Sequence, residues 1–186
     1  MGFFKSLKLF FRLMKDAPKI KAAMEQQQAA YTAMTMAEFS ALPDEELLYA
    51  ALIRTEGKIN YEAQEESFAA LSQPQKVLYA LNSLESEVNN GGLCQFFVNS
   101  SRLMAPYISE YLGIIGAEAH KQLFDHFIQV NGIDVRDLSS FRIQRMADFE
   151  KQAKRYPFDE YDDAFYALPS LEEPLKAYIK SNLSFF

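Results

Sequence analysis

Residues 72–92 read SQPQKVLYALNSLESEVNNGG, and this stretch contains the signals for one strong helix and for its end. The segment SQPQ at 72–75 opens the helix, and a proline is tolerated in a first turn. Apolar side chains then recur at helical spacing, at Val77, Leu78, Leu81 and Leu84. The Asn-Gly-Gly sequence at 90–92 predicts the end of the helix, because Asn and Gly readily adopt the left-handed conformation found there.

Helical signals continue on both sides of this stretch. Thr35 and Glu38 have the spacing of a capping box, and Pro43 is followed by three acids, which favour the positive end of a helix dipole. A short helix is predicted over 93–101, and further helices near 104–114, 117–130, 140–155 and 171–182. Asn131-Gly132 is predicted to close one of them, and the segment Ser170-Leu-Glu-Glu to start the last. No stretch has sustained strand-type alternation with hairpin turn residues. The sequence predicts an all-α fold, a single compact domain of seven to nine helices with an N-terminal amphipathic helix.

Composition narrows the class of protein. Of the 186 residues, 49% are hydrophobic, with sixteen Phe and ten Tyr, which is enough for a sizeable aromatic core. The single cysteine excludes an internal disulfide and a multi-cysteine zinc site, and it favours a reducing compartment. The first residues lack the uninterrupted apolar run of a signal peptide. We therefore expect a cytoplasmic protein.

The charge of the chain is divided between two segments. Residues 1–24 hold six Lys or Arg and one acid, a net charge of +5, while residues 25–186 hold thirteen Lys or Arg and twenty-four acids, a net charge of −11. This asymmetry predicts a basic N-terminal arm (1–24) and an acidic all-α domain (25–186). The two segments serve different partners, or one folds onto the other.

The arm has the sharpest amphipathic pattern in the chain. On a helical wheel its apolar residues fall within about 120° and its basic residues on a separate arc of about 80°. The residues that define it are Phe3, Phe4, Lys5, Leu7, Lys8, Phe10, Phe11 and Arg12. Such a helix packs on the body or on a partner, or it binds a membrane surface through residues 2–16 with its rings in the acyl boundary and its cations at anionic headgroups. The second interpretation describes a peripheral adaptor at the inner membrane surface.

The most distinctive string is EVNNGGLCQFFVNSS, at residues 87–101. It resembles the signature of a bacterial DNA-mimic protein family, which reads approximately Asn-Gly-Gly-Phe-x-Gln-Phe-Phe-x-Asn-Ser. The matching residues are Asn90, Gly91, Gly92, Gln95, Phe96, Phe97, Asn99 and Ser100. Leu93 stands where the family usually has Phe, and Arg102 where it often has Gly. The resemblance covers roughly residues 40–180 and implies a helical fold.

Two interpretations of this signature segment remain open. Gln95 and Asn99 are four residues apart on one helix face, and Asn89 and Asn90 lie at the preceding turn. In the structural interpretation the glycines supply the turn, the amides brace helix ends through backbone groups, and the two phenylalanines anchor the segment in the core. In the functional interpretation the amides line a pocket for a small molecule or a substrate.

Candidates for catalysis are weak. Cys94 has no base near it in sequence, so a buried inert thiol is the simpler interpretation. His120 and His126 are six residues apart and do not share a helix face as an i,i+4 metal pair would. No phosphate loop, nucleophile elbow or metalloprotease motif occurs. We expect a non-enzymatic protein without a metal or cofactor.

Acidic clusters carry the remaining functional signal. Carboxylates three or four residues apart on a helix are about 5–6 Å apart, which is comparable with the spacing of charges along a phosphate backbone. The predicted partner-binding residues are Asp159, Glu160, Asp162 and Asp163, supported by Glu62, Glu65 and Glu66. The simpler alternative is a solvated acidic face that only aids solubility. Together with the resemblance, the clusters imply a DNA mimic that binds a basic DNA-binding protein and not nucleic acid itself; a homodimer is left open.

Overall fold

The computed structural model describes residue 19 and residues 21–186. Over this range it is an all-α protein with ten α-helices, eight of them of seven or more residues, and without a β-strand. This confirms the predicted all-α fold. The eight longer helices agree with the predicted seven to nine, and the other two helices are short. The helices are α1 (21–33), α2 (Met36–Ser40), α3 (Asp44–Glu56), α4 (Gln64–Ala70), α5 (Gln73–Val98), α6 (Ala105–Ile114), α7 (Glu118–Asn131), α8 (Phe149–Ala153), α9 (Phe158–Tyr166) and α10 (Glu172–Lys180).

Helix α5 is the central element of the fold. Ser72 caps it, since its hydroxyl accepts a hydrogen bond from the backbone N–H of Gln75 while the Gln75 side chain accepts one from the Ser72 N–H. The predicted apolar positions Val77, Leu78 and Leu81 have no exposed surface. Helices α3, α6, α9 and α10 all pack against α5. Because neighbours cover it from several directions, α5 orients most of the other helices.

The chain leaves helical geometry at Gly91 and Gly92, as the Asn-Gly-Gly sequence predicts. Gly91 has φ −163° and ψ 24°, and Gly92 has φ 79° and ψ 174°. Helical hydrogen bonding resumes directly after them, so the end of α5 forms a second segment at an angle to the first. The kink therefore redirects the chain without a loop.

Aromatic rings fill the core beside this second segment. Phe97 contacts Phe141 with ring centroids 5.0 Å apart, and Phe127 contacts Phe158 at 5.3 Å. These rings come from α5, a 3-10 turn, α7 and α9. One aromatic cluster thus fixes α9 against the rest of the fold.

Several predicted helix ends are confirmed. Thr35 forms both hydrogen bonds of a capping box with Glu38 ahead of α2. Gly132, with φ 61°, ends α7 in the left-handed conformation. The Ser170 hydroxyl accepts a hydrogen bond from the backbone N–H of Glu172 at the start of α10.

The prediction of one helix over 140–155 is wrong. The chain forms a 3-10 turn at Ser139–Phe141, becomes extended at Arg142, and turns again at Met146–Asp148 before the short helix α8. Burial of Phe141 among Phe97, Tyr156 and Phe158 ties the first turn to the core, so the helical spacing of the sequence is broken there.

The amphipathic helix of the arm lies outside the described residues, and the predicted boundary at residue 24 falls inside α1. Within the part of the chain that the structure describes, no helix combines the length and the apolar character needed to cross a bilayer.

Candidate functional site

Glu87 is the centre of a hydrogen-bond network built by the signature segment. Its carboxylate accepts hydrogen bonds from Gln95 Nε2 at 2.6 Å, from Asn99 Nδ2 at 2.9 Å and from the Ser101 hydroxyl at 2.9 Å. The kink in α5 brings these donors back toward a residue 8 to 14 positions earlier in the chain. The amides of Gln95 and Asn99 therefore donate to a carboxylate, and not to the backbone groups that the structural interpretation predicts. Hydrogen bonds to an ionised acceptor are stronger than those between neutral groups.

The second position of the kink is fixed from the other side by Asp162. Its carboxylate accepts a hydrogen bond from the backbone N–H of Leu93, with Oδ1 2.8 Å from the nitrogen. A Cβ on Gly92 would overlap this carboxylate, and the positive φ of Gly92 is itself unfavourable for other residues. A Cβ on Gly91 would overlap the side-chain amide of Gln95. The side chains of Gln95 and Asp162 thus occupy the space that a Cβ at either glycine would need.

Burial dominates the electrostatics of Asp162. Burial raises the pKa of the Asp162 carboxyl above its ordinary value. The hydrogen bond from the Leu93 N–H lowers the pKa, and the negative charges of Asp159 and Asp163 raise it. Of the four acids predicted to lead a partner surface, Asp162 thus points inward. Asp159, Glu160 and Asp163 are exposed.

The supporting acids lie elsewhere. Glu62, Glu65 and Glu66 are exposed on α4 and the turn before it. This region attaches to α5 through Gln64, whose amide donates to the Tyr79 hydroxyl, whereas α9 attaches through Tyr166, whose hydroxyl donates to the carbonyl of Val88. The two anchoring positions on α5 are nine residues, or about two and a half turns, apart. The two acidic clusters therefore belong to different sides of α5.

A polar cleft lies beside Glu87. It has a volume of about 430 Å³ and brings residues of the signature segment together with residues of α3, α5 and the turn before α4. Its walls are formed by Glu56, Tyr61, Gln64, Tyr79, Asn82, Ser83, Ser86, Glu87, Asn90, Gln95, Ser100, Ser101 and Met104. Of the amides that the sequence places in a possible pocket, Asn90 and Gln95 line this cleft, whereas Asn89 and Asn99 do not. The sequence does not indicate Glu56 as a lining residue, because Glu56 is far from the signature segment along the chain.

The remaining signature residues differ in their environments. Phe96 and Phe97 have no exposed surface, which agrees with their predicted role as anchors in the core. Asn89 and Ser100 are exposed. Together with Glu85 and Tyr166, Asn89 lines a smaller cleft of about 270 Å³.

Cys94 and His120, two of the sequence candidates for chemistry, are both buried. Burial raises the pKa of the Cys94 thiol to about 12, and the negative charge of Asp162 adds to the effect. His120 is buried edge-on against Phe165, and burial lowers its pKa. Nowhere between residues 21 and 186 do three His, Cys, Asp or Glu side chains come together in a way that could hold a metal ion. The arm residues Phe3 to Arg12 lie outside the described range, and their membrane or docking role stays a prediction.

Comparison with known proteins identifies the family. A family model described as DMP19-like protein matches residues 69–182, which is more than half of the chain. The match includes the kink, α9 and the walls of the polar cleft from Tyr79 to Met104, while Glu56, Tyr61 and Gln64 lie before it. No curated protein matches the sequence, and no solved structure does. The chain belongs to the DMP19-like protein family.

Proposed function

We propose that this protein is a non-enzymatic acidic binding protein that mimics DNA and engages a basic DNA-binding protein through α9. The observation that carries the proposal is the group Asp159, Glu160 and Asp163. These side chains are exposed, and they form no ion pair with any other residue that the structure describes. Their charge is therefore available to a partner.

The geometry of α9 supports this role. Asp163 lies three and four residues after the other two acids, so the three carboxylates project from neighbouring positions on one helix. The opposite face of α9 is held in the aromatic core through Phe158, Tyr161 and Phe165, each at most 4% exposed. A charged face on a fixed helix loses little conformational freedom on binding, which favours association.

The family adds a second line of support. It is named for a DNA mimic protein, and mimicry requires a rigid display of negative charge that a basic groove can contact in place of phosphates. A net charge of −11 over residues 25–186 supplies this charge. The partner is then a nucleic-acid-binding protein, whose affinity falls as salt is raised.

The experiment compares two matched triple variants of the full-length protein. One variant carries Asp159→Asn, Glu160→Gln and Asp163→Asn, and the other carries the same kind of change at Glu62, Glu65 and Glu66. Proteins captured from a bacterial lysate by immobilised wild type are identified by mass spectrometry. The strongest basic DNA-binding protein is then purified for titration against all three forms.

We expect duplex DNA to compete with the wild type for this partner, and we expect the α9 variant to bind at least tenfold more weakly at low salt. The α4 variant should retain binding within about threefold, since its charges lie on another side of α5. Equally weakened binding in both variants would indicate a general effect of charge, and not a defined binding surface on α9. Capture of only neutral or acidic proteins, without competition by DNA, would contradict the proposal.

A further inference from the structure

The polar cleft beside Glu87 has properties that the proposed function does not use. Its volume of about 430 Å³ lies within the range of small-molecule sites, about 300–1,000 Å³. Ten of its thirteen lining residues carry amide, hydroxyl or phenol groups, two are carboxylates, and Met104 is its one apolar side chain. The α9 surface lies on another side of α5, so an inference about the cleft stands apart from the proposed function.

Glu87 gives the cleft a fixed negative charge. Three neutral side chains hold its carboxylate from the signature side, at distances between 2.6 and 3.1 Å. Neutral donors position the carboxylate without cancelling its charge, in contrast to a lysine or an arginine. The charge therefore remains available to a group that enters the cleft.

Glu56 supplies a second negative charge to the same cleft. It lies at the end of α3 and forms no ion pair with any residue in the described range. Glu56 is an exposed residue, and the protein atoms around its carboxyl partly limit its hydration and raise its pKa. Lys, Arg and His are absent from the residues that line the cleft. Two carboxylates thus face a ligand-sized space with no protein cation to balance them.

The other walls of the cleft provide aromatic rings and neutral polar groups that a ligand could contact. Tyr61 and Tyr79 contribute aromatic rings, and the Tyr61 ring is largely exposed, at 71% for the residue. Aromatic faces attract cations through their quadrupole. Along α5, Asn82, Ser83 and Ser86 provide neutral acceptors for N–H donors.

We propose that this cleft binds a small organic cation that carries an ammonium or guanidinium group. Such a group compensates the charge of Glu56 and Glu87, donates to the hydroxyl and amide oxygens, and stacks on a tyrosine ring. A neutral sugar would satisfy the hydrogen-bonding groups but would leave both carboxylates without a counter-charge. The same cationic chemistry comes from a free amine or from a lysine or arginine side chain on another protein.

The test is isothermal titration calorimetry on the full-length protein with agmatine, which has an ammonium group at one end and a guanidinium group at the other. Butane-1,4-diol, which has a similar chain and no charge, serves as the neutral control, and glucose tests the sugar interpretation. We expect agmatine to bind with one-to-one stoichiometry and at least tenfold more tightly than either neutral compound.

Three variants test the location of the site. Glu56→Gln removes a charge whose loss breaks no hydrogen bond within the described residues, and it should weaken agmatine binding at least tenfold. Ser86→Leu narrows the cleft from an exposed position on α5 without changing charge, and it should have a similar effect. Glu160→Gln, on α9, is the matched control and should change the dissociation constant less than twofold.

The source of the cation is decided by titrating Nα-acetyl-arginine amide. Binding as tight as that of agmatine indicates a side chain presented by a protein, and binding at least tenfold weaker indicates a free amine; both outcomes support a cation site. Three results would overturn the proposal: no binding of either cation, equal binding of butane-1,4-diol or glucose, or equal losses in Glu56→Gln and Glu160→Gln.

Discussion

The carboxylates at the kink of α5 and those on the outer face of α9 have opposite relations to the rest of the molecule. Glu87 and Asp162 accept hydrogen bonds at 2.6–3.1 Å from residues of the protein itself that follow the kink. Asp159, Glu160 and Asp163 face solvent and contact no cation within the described range. An acidic composition is therefore divided between groups that hold the fold and groups that are free to act on a partner.

The donors explain how both groups coexist on one chain. Glu87 is held by amides and a hydroxyl, and Asp162 by a backbone N–H, so neither loses its charge to an ion pair. Neutral donors stabilise a carboxylate while the protein keeps its net negative charge. The fold thus uses acids structurally while it keeps the net negative charge on which the proposed function depends.

The largest loss of stability is expected from Gly92→Ala, at the kink of α5. With φ 79° and ψ 174°, Gly92 occupies a region that is essentially restricted to glycine, and a Cβ there would overlap the Asp162 carboxylate. We expect the free energy of unfolding to fall by roughly 4 kcal/mol, as backbone strain and overpacking add. Urea denaturation followed by circular dichroism measures the change.

Gly132→Ala is the matched control for that variant. Gly132 also has a positive φ, of 61°, but nothing lies within 4 Å of an added Cβ. Only the left-handed conformation is penalised, so the expected loss is about 1 kcal/mol. Equal losses in the two glycine variants would mean that neither the Asp162 contact nor the more restricted backbone conformation of Gly92 adds to the loss of stability.

The next effect in size is expected from Glu87→Gln. An amide in this position replaces one charged acceptor with a neutral one and directs an NH₂ group at the donors of Gln95, Asn99 and Ser101. Because hydrogen bonds to a charged group contribute about 1.5–3 kcal/mol, we expect a loss of about 2 kcal/mol in the free energy of unfolding. Glu62→Gln, an exposed acid on the other cluster, should change it by less than about 0.5 kcal/mol. An equally small change in the free energy of unfolding for Glu87→Gln would show that Glu87 does not stabilise the fold.

A smaller effect, dependent on pH, is expected from Asp162→Asn. The amide oxygen still accepts from the Leu93 N–H, so the loss at pH 7 should stay below about 1 kcal/mol. Burial raises the pKa of Asp162 in the folded protein, so the folded state holds this proton more tightly than the unfolded chain. The stability that Asp162 contributes is therefore fully present below the ordinary aspartate pKa and is lost as pH rises through the raised value.

Unfolding free energies measured from pH 3.5 to 7 check the sign of this contribution. The wild type should lose more stability than Asp162→Asn as pH rises across the interval, because the variant has no proton to release at this position. Glu66→Gln should follow the wild-type curve, since its side chain is exposed on α4. Parallel curves for wild type and Asp162→Asn would show that burial of this carboxyl has no energetic consequence.

Much of the fold follows from local sequence, and the site does not. Capping at Thr35 and Ser72 and termination at Gly132 depend on neighbours within a few residues, so the sequence predicts them. The contact of Asp162 with Leu93 joins residues 69 positions apart, which no spacing rule reveals. The Glu87 network depends on the direction of the chain after the kink, and this direction is set by packing.

Helix α9 shows how a signal can be present and yet be passed over. Phe158, Tyr161 and Phe165 have helical spacing, but the acids between them dominate the sequence and suggested only a charged surface. The aromatic stripe determines which acids point outward and which one, Asp162, points toward α5. The sequence predicts the cluster, and only packing separates its members.

The smallest effect on stability is expected from the triple variant of α9, with Asp159→Asn, Glu160→Gln and Asp163→Asn. Acids in the first turn favour the helix dipole, whereas like charges three and four residues apart repel, and each effect is a few tenths of a kcal/mol at an exposed site. The two nearly cancel, so the free energy of unfolding should change by less than about 0.5 kcal/mol in urea titrations. The same variant is expected to lose partner binding, so its stability and its binding should respond very differently. A loss above about 1.5 kcal/mol would place these acids with Glu87, among the carboxylates that hold the fold, and the division between the two groups would fail.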